Sequence, residues 1–270
     1  MDSDRGSRAG SVIQSDTSPS GQPCVLITIP ISHYCEKARW ALDRAGVGYR
    51  EQAHLQLIHW LAVKRAGGGR TAPVLVCGDR VLADSADIVD EADAKAPPGQ
   101  RLYPDDPDAA AEVRVLERDF DANLGPNGRR WMYNAMRGRR DLAIAYACTG
   151  VPGWERRALP LAYPVVTRVI DRYLDITPAT AAYSEAQVRM TFDAVAKRLS
   201  DGRPYLCGDR FTAADLTFAA LAASVLMPPE YGVPLPQPQE LPVAMAAVVR
   251  EFRAHPAGEH ALAMFRDERR

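Results

Sequence analysis

Ser32 occupies a position at which a hydroxyl group can stabilise an anion. It follows a short apolar run over 24–29 that Pro30 closes, and it precedes residues with helical apolar spacing. This places its hydroxyl beside the unpaired N–H groups at the positive end of a helix, where a thiolate has a lowered pKa. A simple helix N-cap is the alternative interpretation. The two roles do not exclude each other, because a hydroxyl accepts through two lone pairs and donates one proton.

Two further side chains near Ser32 bear on its chemistry. Cys35 lies one turn later, on the apolar side of the predicted helix, and we interpret it as a buried structural thiol. Thioredoxin-fold redox proteins carry cysteine where this chain has Ser32, so a dithiol mechanism is excluded. His33 is a candidate acid–base group facing solvent at the mouth of the site.

These residues require a β-turn-α unit, and the following sequence extends that unit into a small domain. The predicted elements are a strand over 24–29, a helix from Ser32 to Gly46, a strand over 49–54, a helix over 60–66, a hairpin of strands over 73–77 and 80–82, and a helix capped by Asp84 and Ser85. The order β-α-β-α-β-β-α is too compact for a doubly wound nucleotide-binding fold. It predicts a thioredoxin-like α/β domain.

A second domain follows a change of composition near residue 98. Residues 98–107 are rich in Pro, Gly and Asp, which is typical of a stiff linker, and strand patterns nearly vanish beyond them. We therefore predict a thioredoxin-like domain over 23–97 and an all-helical domain over 108–270. Residues 1–22 are rich in Ser, Asp, Gly, Arg and Pro and lack the apolar run of a secretory signal. We interpret them as a disordered tail.

Helical spacing in the second domain predicts a series of helices with one well-marked start. Thr212 and Asp215 form a capping-box pattern before an apolar stretch that is too short to cross a bilayer and is interpreted as a buried core helix. A break is expected at Gly125 and Pro126. The predicted helices cover 108–124, a broken stretch over 127–148, 154–174, 184–199, 212–227, 241–253 and a short C-terminal segment.

Composition and charge narrow the classes of partner. The chain has 33 Lys and Arg against 34 Asp and Glu, a net charge of −1, which argues against nucleic acid or an anionic membrane and favours small molecules. Its 5 cysteines show no C-x-x-C spacing, and its His pairs are spaced five apart, so no metal site is predicted. A reducing cytoplasm fits this cysteine usage best.

Three segments of the first domain resemble the glutathione-binding motifs of the cytosolic glutathione S-transferase superfamily, in its bacterial, serine-type form. They are SHYCEKAR over 32–39, TAPVL over 71–75 and DSADI over 84–88, in the order of that family. The segment RPYLCGDRFTAAD over 203–215 is similar to the capping motif of the family's helical domain. Together the resemblance covers residues 24–225.

The resemblance implies a role for each matching residue. Ser32 would activate the glutathione sulfur, and Pro73 would follow a cis peptide bond that turns the Ala72 backbone toward the cysteinyl unit. Asp84 and Ser85 would hold the γ-glutamyl end, the first facing its ammonium and the second its carboxylate.

Other residues of the implied site are less specified by the resemblance. Arg70 and Lys64 precede the Pro73 loop and are candidates for the glycyl carboxylate. The stretch 129–133 mixes cations with Trp131 and Tyr133, which are either part of an electrophile pocket or part of the core. The segment 127–164 is longer than the compact family pattern, which leaves the acceptor site open.

The resemblance thus implies a glutathione transferase with glutathione as co-substrate, no metal, and a small hydrophobic electrophile, acting in detoxification as a cytoplasmic homodimer. Two alternatives stay open. One is a non-catalytic protein that keeps the fold as a binding scaffold. The other is a glutathione-dependent isomerase or dehalogenase.

Overall fold

The computed structural model describes residues 23–269, which begin with a four-stranded mixed sheet. Its strands are β1 Cys24–Thr28, β2 Tyr49–Ala53, β3 Val74–Cys77 and β4 Arg80–Leu82, in the order β2-β1-β3-β4. β1 pairs in parallel with β2, whereas the β1–β3 and β3–β4 pairs are antiparallel. With helices α1 His33–Arg44, α2 His59–Arg65 and α3 Ser85–Lys95, this confirms the predicted thioredoxin-like domain. The predicted tail over 1–22 lies outside the described residues.

The register of the sheet decides which loops meet. Ile27 pairs with Val74, and Leu75 pairs with Leu82. Because β3 is antiparallel to both neighbours, the chain leaving β1, the chain entering β3 and the chain leaving β4 lie at the same edge of the sheet. The turns that hold the three predicted motifs are therefore neighbours.

The rest of the chain is helical, as predicted. The helices are α4 Pro107–Asp119, a π-helical segment Phe120–Leu124, α5 Gly125–Ala135, α6 Arg140–Ala147, α7 Gly153–Tyr173, α8 Pro178–Leu199, α9 Ala213–Leu226, α10 Val243–Ala254 and α11 Pro256–Glu268. Within the described part of the chain, no helix is both long and apolar enough to span a bilayer.

α9 forms the centre of the core. All of its residues are buried, as the apolar stretch predicts. Its start has the predicted capping box, in which Thr212 and Asp215 satisfy each other's backbone N–H groups. From the sheet domain, Trp40 of α1 stacks on Phe211 and contacts Phe265. One core therefore joins the sheet domain to the helices.

Two expectations about helix ends are wrong. Gly125 and Pro126 do not break the chain, since the π-helical segment continues directly into α5. The wider π turn changes the hydrogen-bond pairing just before Pro126, so the helix passes through a residue that has no N–H to donate. The C-terminal helix is also not short, because α11 is 13 residues long.

A disulfide joins Cys24 of β1 to Cys77 of β3, with their Cα atoms 4.4 Å apart. The sequence did not predict this pair, and with it the cysteine usage no longer favours a reducing compartment. The two residues become cross-strand neighbours only through the β1–β3 register, in which Val25 pairs with Val76. Cys35, Cys148 and Cys207 are free thiols, and Cys35 is buried as expected.

Candidate active site

Ser32 precedes α1 in an extended conformation, where the N-cap was predicted. Its side chain makes no capping hydrogen bond. Its hydroxyl instead donates to the thiol of Cys35, which also accepts the Ile29 N–H at an N–S distance of 3.4 Å. Burial raises the pKa of the Cys35 thiol, which therefore stays protonated near neutral pH, although these hydrogen bonds act in the opposite direction. The half-buried Ser32 hydroxyl thus already interacts with a sulfur atom.

The other two motifs flank Ser32 through the sheet. The Ala72–Pro73 peptide bond is cis, as the resemblance implies, and Pro73 is buried directly before β3. Asp84 caps α3, and its Oδ1 accepts the Ala86 N–H at 2.8 Å. Ser85 is buried at the first position of that helix. The edge of the sheet thus brings a hydroxyl, a cis-prolyl turn and a helix N-terminus together.

Arg70 and Lys64 are less tightly placed. Both side chains are exposed. The Arg70 segment is fixed through its backbone, since its carbonyl oxygen lies 3.2 Å from Nε2 of the buried His59. Among the described residues, no group of three or more His, Cys, Asp or Glu side chains is arranged to hold a metal ion.

The expectation that His33 faces solvent is wrong. Its side chain is buried between α1 and α5, 4% exposed. Burial lowers the pKa of His33 to about 3, with a further decrease from the positive charge of Arg129, while a hydrogen bond to the Gly125 backbone opposes both. The ring is neutral near pH 7, so it is not a cationic acid there.

An apolar cavity of about 160 Å³ lies between the edge of the sheet and the helices. α5, α6 and α7 supply most of its wall, and the loops after β1, β2 and α9 complete it. Its polar groups include His33, Gln56, Tyr133, Tyr163 and Tyr231. A mainly apolar cavity with a few polar groups is typical of a small-molecule site.

The stretch 129–133 contributes to both core and cavity. Trp131 is buried and donates to Glu185 at 3.0 Å, so it is structural. Tyr133 lines the cavity and donates to the side-chain oxygen of Gln56. Burial raises the pKa of Tyr133 to about 12, so its hydroxyl remains protonated.

Sequence reasoning missed most of the cavity wall. Gln56 and Leu55 directly follow β2, and Tyr231 follows α9 in a stretch without regular structure. The residues of α6 and α7 that face the cavity look like ordinary amphipathic positions. Only one feature of the sequence indicated them, the length of the segment 127–164, which pointed to extra residues but not to where they pack.

Two family models match this chain, one in the sheet domain and one in the helical domain. A family model described as glutathione S-transferase, N-terminal domain, matches residues 26–100, and one described as glutathione S-transferase, C-terminal domain, matches residues 169–247. Among proteins with curated descriptions, none matches this chain.

Solved structures share its fold at low sequence identity. Glutathione transferase GSTFuA3 from Phanerochaete chrysosporium has a TM-score of 0.59 at 16% identity, covering 92% of this chain and 97% of that one. A glutathione S-transferase from Sinorhizobium meliloti 1021 has a TM-score of 0.54 at 19% identity, covering 92% and 99%. A theta class enzyme from Xanthomonas axonopodis pv. citri, solved with glutathione bound, has a TM-score of 0.50 at 21% identity, covering 89% and 97%. Together, the two matched family domains and the shared fold show that this chain belongs to the glutathione S-transferase superfamily.

Proposed function

We propose that this protein is a glutathione transferase in which Ser32 stabilises the glutathione sulfur as a thiolate. One observation carries the proposal. The Ser32 hydroxyl is not used for capping and stands at the start of α1, on the edge of the sheet that also holds the cis-prolyl turn at Pro73. A hydroxyl hydrogen bond and a helix N-terminus both favour a negatively charged sulfur.

The remaining contacts to glutathione follow from the same edge. The Ala72 backbone pairs with the cysteinyl unit, and the N-terminus of α3 with Ser85 binds the γ-glutamyl carboxylate. The exposed Asp84 carboxylate faces the γ-glutamyl ammonium, and Arg70 reaches the glycyl carboxylate. These contacts hold the sulfur beside the cavity, so that reaction with a second bound molecule requires no further diffusion.

The electrophile binds with its apolar part in the cavity. The thiolate attacks its electrophilic carbon, a carbon–sulfur bond forms, and the leaving group departs with the electron pair of its bond. A small hydrophobic alkyl or aryl halide meets these requirements, which fits a role in detoxification.

The hydrogen bond from Ser32 to Cys35 gives this mechanism a specific consequence. When glutathione binds, the Ser32 hydroxyl has to turn from the Cys35 thiol to the glutathione sulfur. Cys35 then keeps the Ile29 N–H as its donor. Cys35 is the resting acceptor of the hydroxyl proton and takes no part in the reaction.

The test measures glutathione affinity, the pKa of the bound thiol and turnover of 1-chloro-2,4-dinitrobenzene. We expect Ser32→Ala to bind glutathione within a few-fold of wild type, but to raise the pKa of the bound thiol and to lower kcat about 10- to 100-fold, the value of a lost hydrogen bond to a charged group. Cys35→Ala is the matched control and should keep its turnover. Equal losses in both variants, or none in Ser32→Ala, would reject the role of Ser32.

Two outcomes would indicate the alternative functions. Glutathione that raises the melting temperature but is not consumed with any electrophile would favour a binding scaffold. Isomerisation, or halide release that leaves no glutathione thioether as product, would favour an isomerase or dehalogenase. A cytoplasmic homodimer is part of the proposal, and light scattering of the purified chain tests the dimer.

A further inference from the structure

The outer face of α7, a helix described over its full length, exposes arginine and apolar side chains and no acidic one. Both acidic residues of the helix are engaged elsewhere. Glu155 is buried against the segment after β2, and Asp171 contacts Arg137 at 3.0 Å. The exposed cations are Arg156, Arg157, Arg168 and Arg172, and the large exposed apolar side chains are Trp154, Leu161, Val165, Val169 and Tyr173.

The positive charge of this face is not neutralised within the protein. Among the described residues, none forms an ion pair or a side-chain hydrogen bond with any of the four exposed arginines of α7. α4 differs, because its exposed residues carry both signs and its Arg114 contacts Asp90 at 2.9 Å. The outer face of α7 therefore attracts an anionic partner.

Helical spacing aligns the cations with the apolar groups. One line along α7 contains Trp154, Arg157, Leu161, Val165, Arg168 and Arg172, which follow each other at intervals of three or four residues. Leu161 and Val165, which are 88% and 66% exposed, lie in the middle with arginines on both sides. The helix has 21 residues and is therefore about 30 Å long. This line, the α7 stripe, is a long surface with an apolar centre and cationic ends.

α2 extends the same surface onto the sheet domain. The ring of Trp60 packs edge-on against the ring of Tyr173 at the end of α7, with 6.3 Å between their centroids. α2 exposes Leu61, Lys64 and Arg65, which again are apolar or basic. Neither cation has an ion-pair partner among the described residues. The two helices thus share one composition on their exposed faces.

The charge and shape of the α7 stripe decide between possible partners. A second copy that docked through the same stripe would bring like charges together, which is unfavourable. A bilayer with anionic headgroups meets both requirements of the stripe. Its phosphates pair with the guanidinium groups, and the acyl boundary directly beneath takes the protruding Leu161 and Val165.

We propose that the outer face of α7, together with the exposed side of α2, docks this protein on the surface of an anionic membrane. Trp154 and Tyr173, 58% and 63% exposed at the two ends of α7, lie at the level of the headgroups, where such rings are favoured. Docking of this kind is peripheral and requires no helix that crosses the bilayer. It does not depend on the proposed transferase function.

This proposal differs from the expectation that net charge gave. The chain as a whole has a net charge of −1, which argued against an anionic membrane. Net charge averages over the entire surface, whereas attraction to a membrane acts within about 10 Å of the charges that face it. The local charge of the α7 stripe is positive, so the average conceals it.

The test is sedimentation of the full chain with two kinds of vesicle, one of phosphatidylcholine and one of equal parts phosphatidylcholine and phosphatidylglycerol. We expect wild type to bind the anionic vesicles only. A variant combining Arg157→Gln, Arg168→Gln and Arg172→Gln should bind them about 100-fold more weakly, since each arginine near such a surface contributes about fivefold. Leu161→Gln should weaken binding about tenfold, because its apolar contact is lost.

A matched control removes the same charge from other helices. It combines Arg118→Gln, Arg250→Gln and Arg266→Gln, which are exposed on α4, α10 and α11. We expect its affinity for the anionic vesicles to stay within about threefold of wild type, because only cations close to the lipid are strongly attracted. Melting temperatures equal to wild type show that every variant is folded.

Four results would overturn the proposal. Wild type that leaves the anionic vesicles in the supernatant would show no docking, and equal losses in the two triple variants would show that total charge alone matters. Binding that Leu161→Gln leaves unchanged would indicate attraction to any anionic polymer and would favour an acidic protein as the partner. A dimer in light scattering that Leu161→Gln dissociates would assign the stripe to a second copy of the chain.

Discussion

Glu155 of α7 accepts a hydrogen bond from the Leu55 backbone N–H, with 2.7 Å between nitrogen and oxygen. Its other carboxylate oxygen lies 2.6 Å from Nδ1 of His54, and the side chain is fully buried. Leu55 and several residues of α7 line the same cavity. This contact therefore attaches the helical wall of the cavity to the sheet domain.

We expect Glu155→Ala to lower the free energy of unfolding by about 1–3 kcal/mol, because the Leu55 N–H loses its acceptor in a buried place. It should also weaken binding of N-phenyl-1-naphthylamine, a neutral fluorescent probe with an apolar body, to the cavity, because α7 loses its hydrogen bonds to the segment that follows β2. Denaturant titration and fluorescence titration measure the two effects. Glu259→Gln, at an exposed position of α11, is the control. An unfolding curve identical to wild type would contradict this role of Glu155.

His33 should make the protein less stable in acid. Its pKa is lowered from 6.5 to about 3 in the folded protein, chiefly by burial, so below about pH 6 the unfolded chain binds a proton that the folded chain does not. Above pH 6.5, His33 does not lower the free energy of unfolding. Below that pH, its contribution falls by about 1.4 kcal/mol per pH unit toward pH 3. His33→Asn, which keeps a side-chain N–H donor, should have a shallower slope in denaturant titrations at pH 7, 6, 5 and 4. Equal slopes of the free energy of unfolding against pH in wild type and variant would contradict the lowered pKa of His33.

Gly125 should not tolerate a side chain. A Cβ there would lie 2.6 Å from Cζ of Tyr34 and closer still to its hydroxyl, which donates to the Asp121 carbonyl oxygen at 2.7 Å. Gly125→Ala should therefore lower stability by about 1–3 kcal/mol, although alanine is the better helix former. Gly153→Ala, at the first position of α7 with no atom near the added methyl, should be neutral or stabilising. Similar melting temperatures for the two variants would contradict the close packing of α1 against α5.

The disulfide between Cys24 and Cys77 should be measurable as a stabilising cross-link. It closes a loop with a sequence separation of 53, so its loss is expected to cost up to about 4 kcal/mol through the entropy of the unfolded chain. Cys77→Ser should melt lower than wild type without reductant and equally with it. Cys148→Ser, which removes a free thiol, is the control. Alkylation of five cysteines in unfolded, unreduced protein would show that the bond is absent.

The sequence by itself determined most of the helices and strands and the three motifs of the proposed glutathione site. Short β-branched runs, glycine stops and the Thr212–Asp215 capping box are local signals, because the physical causes act within a few residues. For the same reason Ser32 was placed correctly at the start of α1. The thiol that its hydroxyl contacts, Cys35, lies only three residues later, but the spacing does not show whether the hydroxyl caps the helix or bonds to that thiol.

Only the tertiary structure decided the features that join distant segments. The register of β1 and β3 made neighbours of Cys24 and Cys77, and the packing of α5 on α1 buried His33. Burial and charge pairing depend on atoms far apart in the chain, so they cannot be predicted from the spacing of residues. The proposed site for glutathione was therefore visible in the sequence, while the cavity beside it became visible only in the fold.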